Sequence, residues 1–302
     1  MIYLNIADVI FKINDENFIL EYYSSYLHTI IGDRYDHEII LERTNYNNYN
    51  NIGEYFAKNY DYKVYKINDG YSIEFFQRHP VREQVFCACQ LFVSYDWNTL
   101  KLLDYITTDE RSKEPCEYIP SHVYKFKQLF ICIDTYITGV LLYHQAFTLH
   151  SVALQYNNKG ICFTASSGVG KTTHTNFWKE KFNAEILNGD SPIIRFVDDK
   201  PYIYGAPWCG TSRININKKM PLDVVVTLKR GVENKIKKLS KFEAVSFIFG
   251  QMRRPIWDEK LIDMCLTYAE MLANTVSVYE LTCLPNEEAA EVALAGIEEL
   301  HG

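Results

Sequence analysis

The chain lacks the patterns by which metal-binding and secreted proteins are usually recognised. None of its eight cysteines belongs to a CxxC pair, and no histidine cluster accompanies the close pair Cys87 and Cys89. These spacings argue against a zinc site and favour reduced thiols in a cytoplasmic protein. Met1 is not followed by the basic and apolar segments of a signal peptide, so we expect none.

The sequence also lacks a long uninterrupted apolar run. Its most apolar long segment, residues 126–147, is interrupted by Lys127, Gln128, Asp134 and His144. Such a segment is too polar to span a membrane and suits a buried helix. The formal net charge of −7 argues against a general nucleic-acid-binding protein, which usually carries a basic face. We therefore expect neither a membrane nor a nucleic acid as a partner.

The composition and the first part of the chain indicate a globular protein that begins with strands. Hydrophobic residues make up 47% of the 302 residues and charged residues 23%, and this length suits one large or two ordinary domains. Residues 62–67 and 71–76 are strand-like runs around Asp69-Gly70, which predicts a β-hairpin. Residues 52–60 predict a short helix, because their apolar side chains share one helical face. We predict a β-rich N-terminal module over residues 1–120 that binds a partner or caps an active site.

A glycine-rich segment has the order that a phosphate-binding loop requires. A short apolar run at residues 161–164 predicts a buried strand, and the glycines that follow lead to Lys171, Thr172 and a segment that can be helical. In such a loop Lys171 reaches the terminal phosphates and the Thr172 hydroxyl ligates magnesium, which predicts ATP and Mg²⁺ as cofactors. Ala165 stands where the usual pattern has glycine. The predicted nucleotide-binding residues are Ser166, Ser167, Gly168, Val169, Gly170, Lys171, Thr172 and Thr173.

Further polar residues follow predicted strands and loops. Asp190 comes after a strand predicted at residues 184–187, so it can ligate Mg²⁺, accept the proton of an attacking hydroxyl, or simply close a turn. Arg213 follows a Gly/Pro/Trp loop and is a candidate for stabilising transition-state charge or an ordinary loop residue. Without further information His150 is best interpreted as a core histidine. His174, on the helix after Thr172, is predicted to face solvent.

The order of these elements resembles a known family. A helix predicted from Ser121 to Tyr143, a strand over residues 145–154 that contains His150, a hairpin, the Ser-Gly-x-Gly-Lys-Thr loop and an acidic motif are similar to the kinase domain of bacterial HPr kinase/phosphorylase. The resemblance covers roughly residues 122–302 and implies the fold shared with phosphoenolpyruvate carboxykinase. The expected fold class is therefore α/β, with this P-loop kinase core over residues 121–302 and the smaller β-rich module before it.

The resemblance assigns roles residue by residue. Leu149-His150-Ser151 matches the family's Leu-His-Gly segment, and Asp190 matches the second residue of its paired Asp motif, which implies a general base or metal ligand. Together with Lys171 and Arg213, His150 and Asp190 are the predicted catalytic residues, and Thr172 and Asp190 the predicted metal ligands. The first Asp of the pair is Gly189 here, which argues against two-carboxylate chemistry. The family's C-terminal signature is replaced by residues 205–213, which argues against HPr itself as a substrate.

The function predicted from the sequence is an ATP- and Mg²⁺-dependent kinase. It would transfer the γ-phosphoryl group to a hydroxyl of a small molecule, a peptide or a protein serine. Two alternatives remain open: a nucleotide-binding sensor without transfer, and a carboxykinase-type or phosphatase-type enzyme on the same fold. HPr kinases are hexameric, so the resemblance also implies a possible homo-oligomer.

Overall fold

The computed structural model describes residues 1–14, 23–28, 34–44, 53–58, 62–78, 85–105, 121–166 and 168–301. Contacts within the chain divide it into two compact units. The first consists of Met1–Glu21, Leu27–Val140 and Pro255–Asp258, and the second of Tyr22–Tyr26, Leu141–Arg254 and Glu259–Gly302. This division falls inside the helix α1 (Ser121–Tyr143). The domain boundary that the sequence places after residue 120 differs from it and stays a prediction.

Eight strands of the first unit form one sheet. They are β1 (Ile2–Ile6), β2 (Val9–Ile13), β3 (His37–Thr44), β4 (Glu54–Lys58), β5 (Tyr62–Ile67), β6 (Gly70–Arg78), β7 (Val85–Ser94) and β8 (Leu100–Tyr105). Their order in the sheet is β1-β2-β3-β8-β7-β6-β5-β4. β3 pairs in parallel with β2 and β8, and the other neighbours are antiparallel. The predicted hairpin around Asp69 is confirmed as β5 and β6.

The helix predicted over residues 52–60 is wrong. Its described central residues form β4, which pairs antiparallel with β5. The ring of Tyr55 packs edge-on against that of Tyr65, and the ring of Phe56 stacks on that of Tyr71. Aromatic side chains favour such cross-strand pairs, and a helical spacing of apolar residues carries no information about a neighbouring strand.

A buried tryptophan organises the core of the first unit. Trp97 is fully buried, and its indole N–H donates to the Asp258 carboxylate at 3.0 Å. The ring lies against α1 at Gly139, where a Cβ atom would come within 2.2 Å of the ring. A side chain larger than hydrogen at position 139 would therefore displace Trp97, and this close approach explains why α1 carries a glycine in its interior.

The second unit contains two sheets and most of the helices. Its strands are β9 (Ala146–Leu149), β10 (Ser151–Tyr156), β11 (Lys159–Thr164), β12 (Glu185–Asn188), β13 (Ile193–Val197), β14 (Lys200–Tyr204), β15 (Lys219–Pro221), β16 (Val224–Arg230), β17 (Lys235–Lys238), β18 (Met252–Arg253) and β19 (Ser277–Cys283). Its helices are α2 (Lys171–Phe182), α3 (Lys241–Gln251), α4 (Glu259–Thr275) and α5 (Glu288–His301). None of the described helices is long and apolar enough to cross a membrane. The chain is thus of mixed α/β class with several sheets.

The larger sheet of this unit brings four strand ends to one edge. Its order is β12-β10-β11-β16-β19-β17. β11, β16 and β19 are parallel, whereas β10 is antiparallel to both β11 and β12. The strands β11, β12, β16 and β19 therefore run in the same direction, and their carboxyl ends share an edge. In open α/β sheets this edge is where ligands bind.

The smaller sheet has the order β15-β14-β13-β9-β18, and it shows that the single strand predicted over residues 145–154 is wrong. The continuous strand predicted over residues 145–154 is two strands, β9 and β10, which belong to different sheets and are separated by His150. The His150 backbone N–H donates to the Gln251 carbonyl at 2.9 Å, and the Ser151 N–H donates to the Asp190 carbonyl at 2.8 Å. These long-range hydrogen bonds fix the point at which the chain leaves the smaller sheet and enters the larger one. A run of alternating apolar residues in the sequence does not predict them.

The prediction that His174 faces solvent is wrong. His174 lies on α2 with 4% of its surface exposed, and its ring packs against the Phe163 ring with centroids 4.8 Å apart. The Trp178 indole N–H donates to His174 Nε2 at 3.1 Å. Burial disfavours the charged imidazolium and lowers the pKa of His174 to about 4. The side chain is therefore a neutral member of the core between α2 and the larger sheet.

Replacing His174 with glutamine should make folding less sensitive to acid. The pKa of His174 is about 4 in the folded chain and 6.5 as its ordinary value, so the unfolded chain binds more protons between these values. The stabilisation is complete above pH 6.5 and is lost progressively as the pH falls from there towards the folded pKa of about 4. From about pH 7.5 to about pH 5, the wild type should lose about 2 kcal/mol more than His174→Gln. Urea unfolding at both pH values measures this, and equal losses would contradict it.

Candidate functional site

The glycine-rich segment connects β11 directly to α2. Gly168 and Gly170 have φ angles of 77° and 117°, which only glycine adopts readily, and a Cβ atom at either position would meet no atom within 4 Å. The backbone conformation rather than space therefore requires glycine. Ala165 is fully buried and is not among the residues with positive φ, so alanine fits where the usual pattern has glycine. Ser166 lies exposed at the start of the segment, and Ser167 lies outside the described residues.

Lys171 is the first residue of α2, and its side chain turns back over the loop. Its Nζ atom lies 3.0 Å from His150 Nε2 and 3.2 Å from the Ala165 carbonyl oxygen. Burial lowers the pKa of Lys171, while the nearby Asp190 carboxylate opposes that shift. The first turn of α2 contains no acidic side chain. The positive end of the helix dipole and the charge of Lys171 therefore lie together, and no acidic side chain in the first turn of α2 neutralises them.

His150 is half-buried between Lys171 and Asp190. Its Nε2 atom lies 3.8 Å from Asp190 Oδ1, and Lys171 approaches the same nitrogen. Burial first and the positive charge of Lys171 second lower the pKa of His150, against an opposing effect of Asp190. His150 is thus neutral at physiological pH, and its Nε2 can accept from the Lys171 ammonium group. The structure brings together three of the four predicted catalytic residues.

Asp190 is positioned by a residue that the sequence interpretation missed. Asn188 is fully buried, and its Oδ1 accepts from the backbone N–H groups of Asp190 at 3.0 Å and Ser191 at 2.8 Å. Its Nδ2 donates to the carbonyl oxygens of Ala206 and Trp208, both at 3.1 Å. The Ser191 hydroxyl donates to Asp190 Oδ2 at 2.9 Å. An Asn two residues before an Asp is a turn signal that could have indicated this role.

Gly189 explains the departure from the paired Asp motif. A Cβ atom at this position would lie 1.8 Å from the Ser212 hydroxyl oxygen, which itself donates to the Cys209 carbonyl at 2.6 Å. An aspartate in place of Gly189 would collide with Ser212 unless that loop moved. Gly210 also lies close to Asp190, since its Cβ atom would lie 3.0 Å from the Asp190 carboxyl carbon. The Gly205–Arg213 loop therefore packs directly onto the candidate carboxylate.

Arg213 does not join the other predicted catalytic residues. It is exposed, has a positive φ of 55°, and ends the short 3₁₀ helix Gly210–Ser212. Within the described residues no ion pair connects it to Asp190. Its positive charge opposes the effect of burial, which raises the pKa of the Cys209 thiol. A role for Arg213 in charge stabilisation stays a prediction.

Arg230 contacts the glycine-rich segment and was also missed. It is the last residue of β16, and its guanidinium group donates to the carbonyl oxygen of Gly168 and, at 3.5 Å, to that of Val169. Beside it lies a cleft of about 400 Å³ between α2 and the ends of β16 and β19. Its position at the carboxyl end of a strand next to β11 is the signal that could have identified it.

The donor groups present suit a magnesium ion that is shared with a ligand. The described residues contain no group of three or more His, Cys, Asp or Glu side chains able to hold a metal. The exposed Thr172 hydroxyl and the partly exposed Asp190 carboxylate offer oxygen atoms of the kind that Mg²⁺ prefers. Mg²⁺ is usually held by one or two protein oxygens together with waters and substrate phosphates. These residues therefore fit Mg²⁺ bound together with a nucleotide.

Comparisons with known proteins add a distant structural similarity. No family model matches the sequence, and no curated protein matches it either. Among solved structures, the chain is similar to the HPr(Ser) kinase/phosphatase from Coxiella burnetii, with a TM-score of 0.31 and 8% sequence identity. The match covers 51% of this chain and 99% of that chain. A similarity at this level does not assign an activity.

Alanine at position 170 should destabilise the chain even though the space for it is open. With a φ of 117°, Gly170→Ala should cost at least about 1 kcal/mol in the free energy of unfolding. Gly250 is the matched control, because its Cβ position is also open but lies in helix α3. Gly250→Ala should be neutral or stabilise by up to about 1 kcal/mol. Urea denaturation compares the two, and an unaltered stability of Gly170→Ala would show that this backbone geometry is not required.

Proposed function

We propose that the second unit binds ATP with Mg²⁺ and transfers the γ-phosphoryl group to a hydroxyl acceptor. One observation supports this most directly. Lys171, neutral His150 and Asp190 meet beside a glycine-rich turn at the edge where four strands end. Phosphoryl transfer requires mainly positioning and neutralisation of charge, and these groups can provide both.

In this proposal the glycine-rich segment holds the phosphates. The N–H groups at the start of α2 point toward a bound anion, and Lys171 provides a positive charge for the β- and γ-phosphates. Thr172 and Asp190 would hold Mg²⁺ together with phosphate oxygens, and the ion would neutralise charge on the transferred group. Arg230 contacts the outer carbonyl groups of the segment and helps to fix its conformation.

Asp190 is the candidate general base. It would accept the proton of the acceptor hydroxyl while the hydroxyl oxygen bonds to the γ-phosphorus and the bond to the β-phosphate oxygen breaks, which leaves ADP. The hydrogen bond that Asn188 Oδ1 accepts from the Asp190 N–H fixes the turn, the Ser191 hydroxyl donates to Asp190 Oδ2, and Oδ1 faces His150. His150 acts as a positioning residue, because its neutral Nε2 accepts from Lys171.

A nucleotide sensor without phosphoryl transfer is the second candidate. It is favoured by the close approach of Ser212 to Gly189, which leaves no room for the second carboxylate of the paired motif. With one carboxylate beside His150, metal binding and base catalysis would depend on the same side chain. A sensor would bind ATP but release no ADP.

Replacing Lys171 with alanine should greatly weaken ATP binding. Loss of a charge-assisted contact to phosphate costs about 1.5–3 kcal/mol, which corresponds to at least about tenfold in Kd. Lys179→Ala is the matched control, since Lys179 is exposed on the same helix and the change in charge is identical. Calorimetry with ATP and Mg²⁺ measures both variants. If the folded wild type binds no nucleotide, both candidate functions are wrong.

Replacing Asp190 with asparagine should separate binding from turnover. A kinase that loses its general base should release ADP about 10²- to 10⁴-fold more slowly, while ATP without Mg²⁺ binds as in the wild type. Asp198→Asn is the control, because Asp198 is an exposed turn residue whose positive φ asparagine also accepts. The readout is ADP release with water or added hydroxyl compounds as acceptors. Equal ADP release from wild type and Asp190→Asn would overturn the role of Asp190.

A further inference from the structure

A cleft begins where the glycine-rich segment ends. It has a volume of about 400 Å³ and is lined by Gly168, Val169 and Gly170 at one end. The first turns of α2 form one wall, and the ends of β16 and β19 form the other. Ligand pockets of this kind measure about 300–1,000 Å³, so the cleft has the size of a small-molecule site. A ligand whose phosphates lie on the loop can therefore extend into the cleft without a break.

The walls of the cleft are largely apolar. Phe177 projects from α2, Leu228 from β16, and Cys283, Leu284 and Pro285 come from the end of β19 and the residues after it. Phe177 and Cys283 are each partly buried against the adjacent core cluster, which gives these parts of the wall a fixed position. Apolar side chains facing each other across a narrow space suit a flat, weakly polar ring.

His174 supplies a buried polar group to the same cleft. Only 4% of its surface is exposed, and it lines the cleft beside Thr173. An indole N–H can only donate, so His174 Nε2 must accept from Trp178 and the ring hydrogen must be on Nδ1. Within the described residues Nδ1 has no hydrogen-bond partner. Because His174 lines the cleft, an acceptor atom on a ligand there would give this N–H a partner.

The charge of the cleft suits the same ligand. None of the described lining residues is acidic, and Arg230 adds a positive charge next to Gly168. A polyphosphate attached to the ligand would therefore meet no repulsion on the way to the loop. Thr173, His174 and Arg230 offer hydroxyl and N–H donors to the cleft. These donors match the ring nitrogens and ribose oxygens of a nucleoside, which accept hydrogen bonds.

We infer that this cleft is the subsite for the nucleoside part of a nucleotide whose phosphates occupy the glycine-rich segment. The inference rests on the proposed function and deepens it, because it assigns the base and ribose to the space between α2 and the ends of β16 and β19. Phe177 and Leu228 enclose the base, and His174 donates to it.

The test fills the cleft and compares two probes. Cys283→Trp places a large ring between the walls, and Pro285→Trp fills the cleft from an exposed lining position outside the glycine-rich segment in case the first variant does not fold. Each variant is titrated with Mg-ATP and with magnesium tripolyphosphate, which has the phosphates but no nucleoside. Val232→Trp is the control, since Val232 is 93% exposed, follows Gly231 and does not line the cleft.

The expected result is a selective loss. Both filling variants should bind ATP at least about tenfold more weakly and tripolyphosphate as the wild type does, because only the nucleoside loses its contacts. Val232→Trp should bind both probes normally. If ATP binding by the folded filling variants is unchanged, or if both probes weaken equally, the cleft is not the nucleoside subsite while the proposed phosphate site stands. If the wild type binds neither probe, the proposed function fails, and this inference fails with it.

Discussion

The parallel pairing of β11 with β16 and of β16 with β19 is the constraint on which the candidate site depends. The register aligns Thr164 with Thr227 and Thr227 with Glu280, so these strands end near one another. β10 turns back between β11 and β12 and brings a fourth carboxyl end to the same edge. Residues far apart in the chain therefore meet at this edge. If one of these strands shifted in register, the lysine, the carboxylate and the cleft would separate.

The present partners of Lys171 bear directly on the proposed binding of phosphate. Lys171 contacts a neutral imidazole and a carbonyl oxygen, both weaker partners for an ammonium group than a phosphate. An incoming polyphosphate could therefore replace these contacts at small cost. Burial disfavours the charged forms of both Lys171 and His150. The attraction of a bound anion would offset the cost of burying the lysine charge. Asp190 remains partly exposed and accessible to a metal ion or an acceptor.

Buried hydrogen bonds decide where the carboxylate lies. Asn188 has no exposure and connects the turn before Asp190 to the Gly205–Arg213 loop through two carbonyl oxygens. That loop also brings Ser212 against Gly189, so the backbone at this position has room for no side chain. The same packing that orders Asp190 thus leaves no space for a second carboxylate at position 189. Within the described residues, Asp190 is the carboxylate that the candidate site places beside His150.

The sequence by itself determined the elements that depend on neighbouring residues. The hairpin at Asp69, the helix Ser121–Tyr143 and the strand–glycine–helix order around Lys171 follow from turn residues, glycines and apolar spacing. Tertiary structure decided that residues 54–58 form a strand, that His150 separates two sheets, that His174 is buried, and that Asn188 and Arg230 belong to the site. Each of these outcomes depends on a partner outside the local pattern, either across a sheet or in a remote loop. Local spacing restricts the backbone of a segment, but the burial and hydrogen-bond partners of a side chain depend on which distant strand lies beside it.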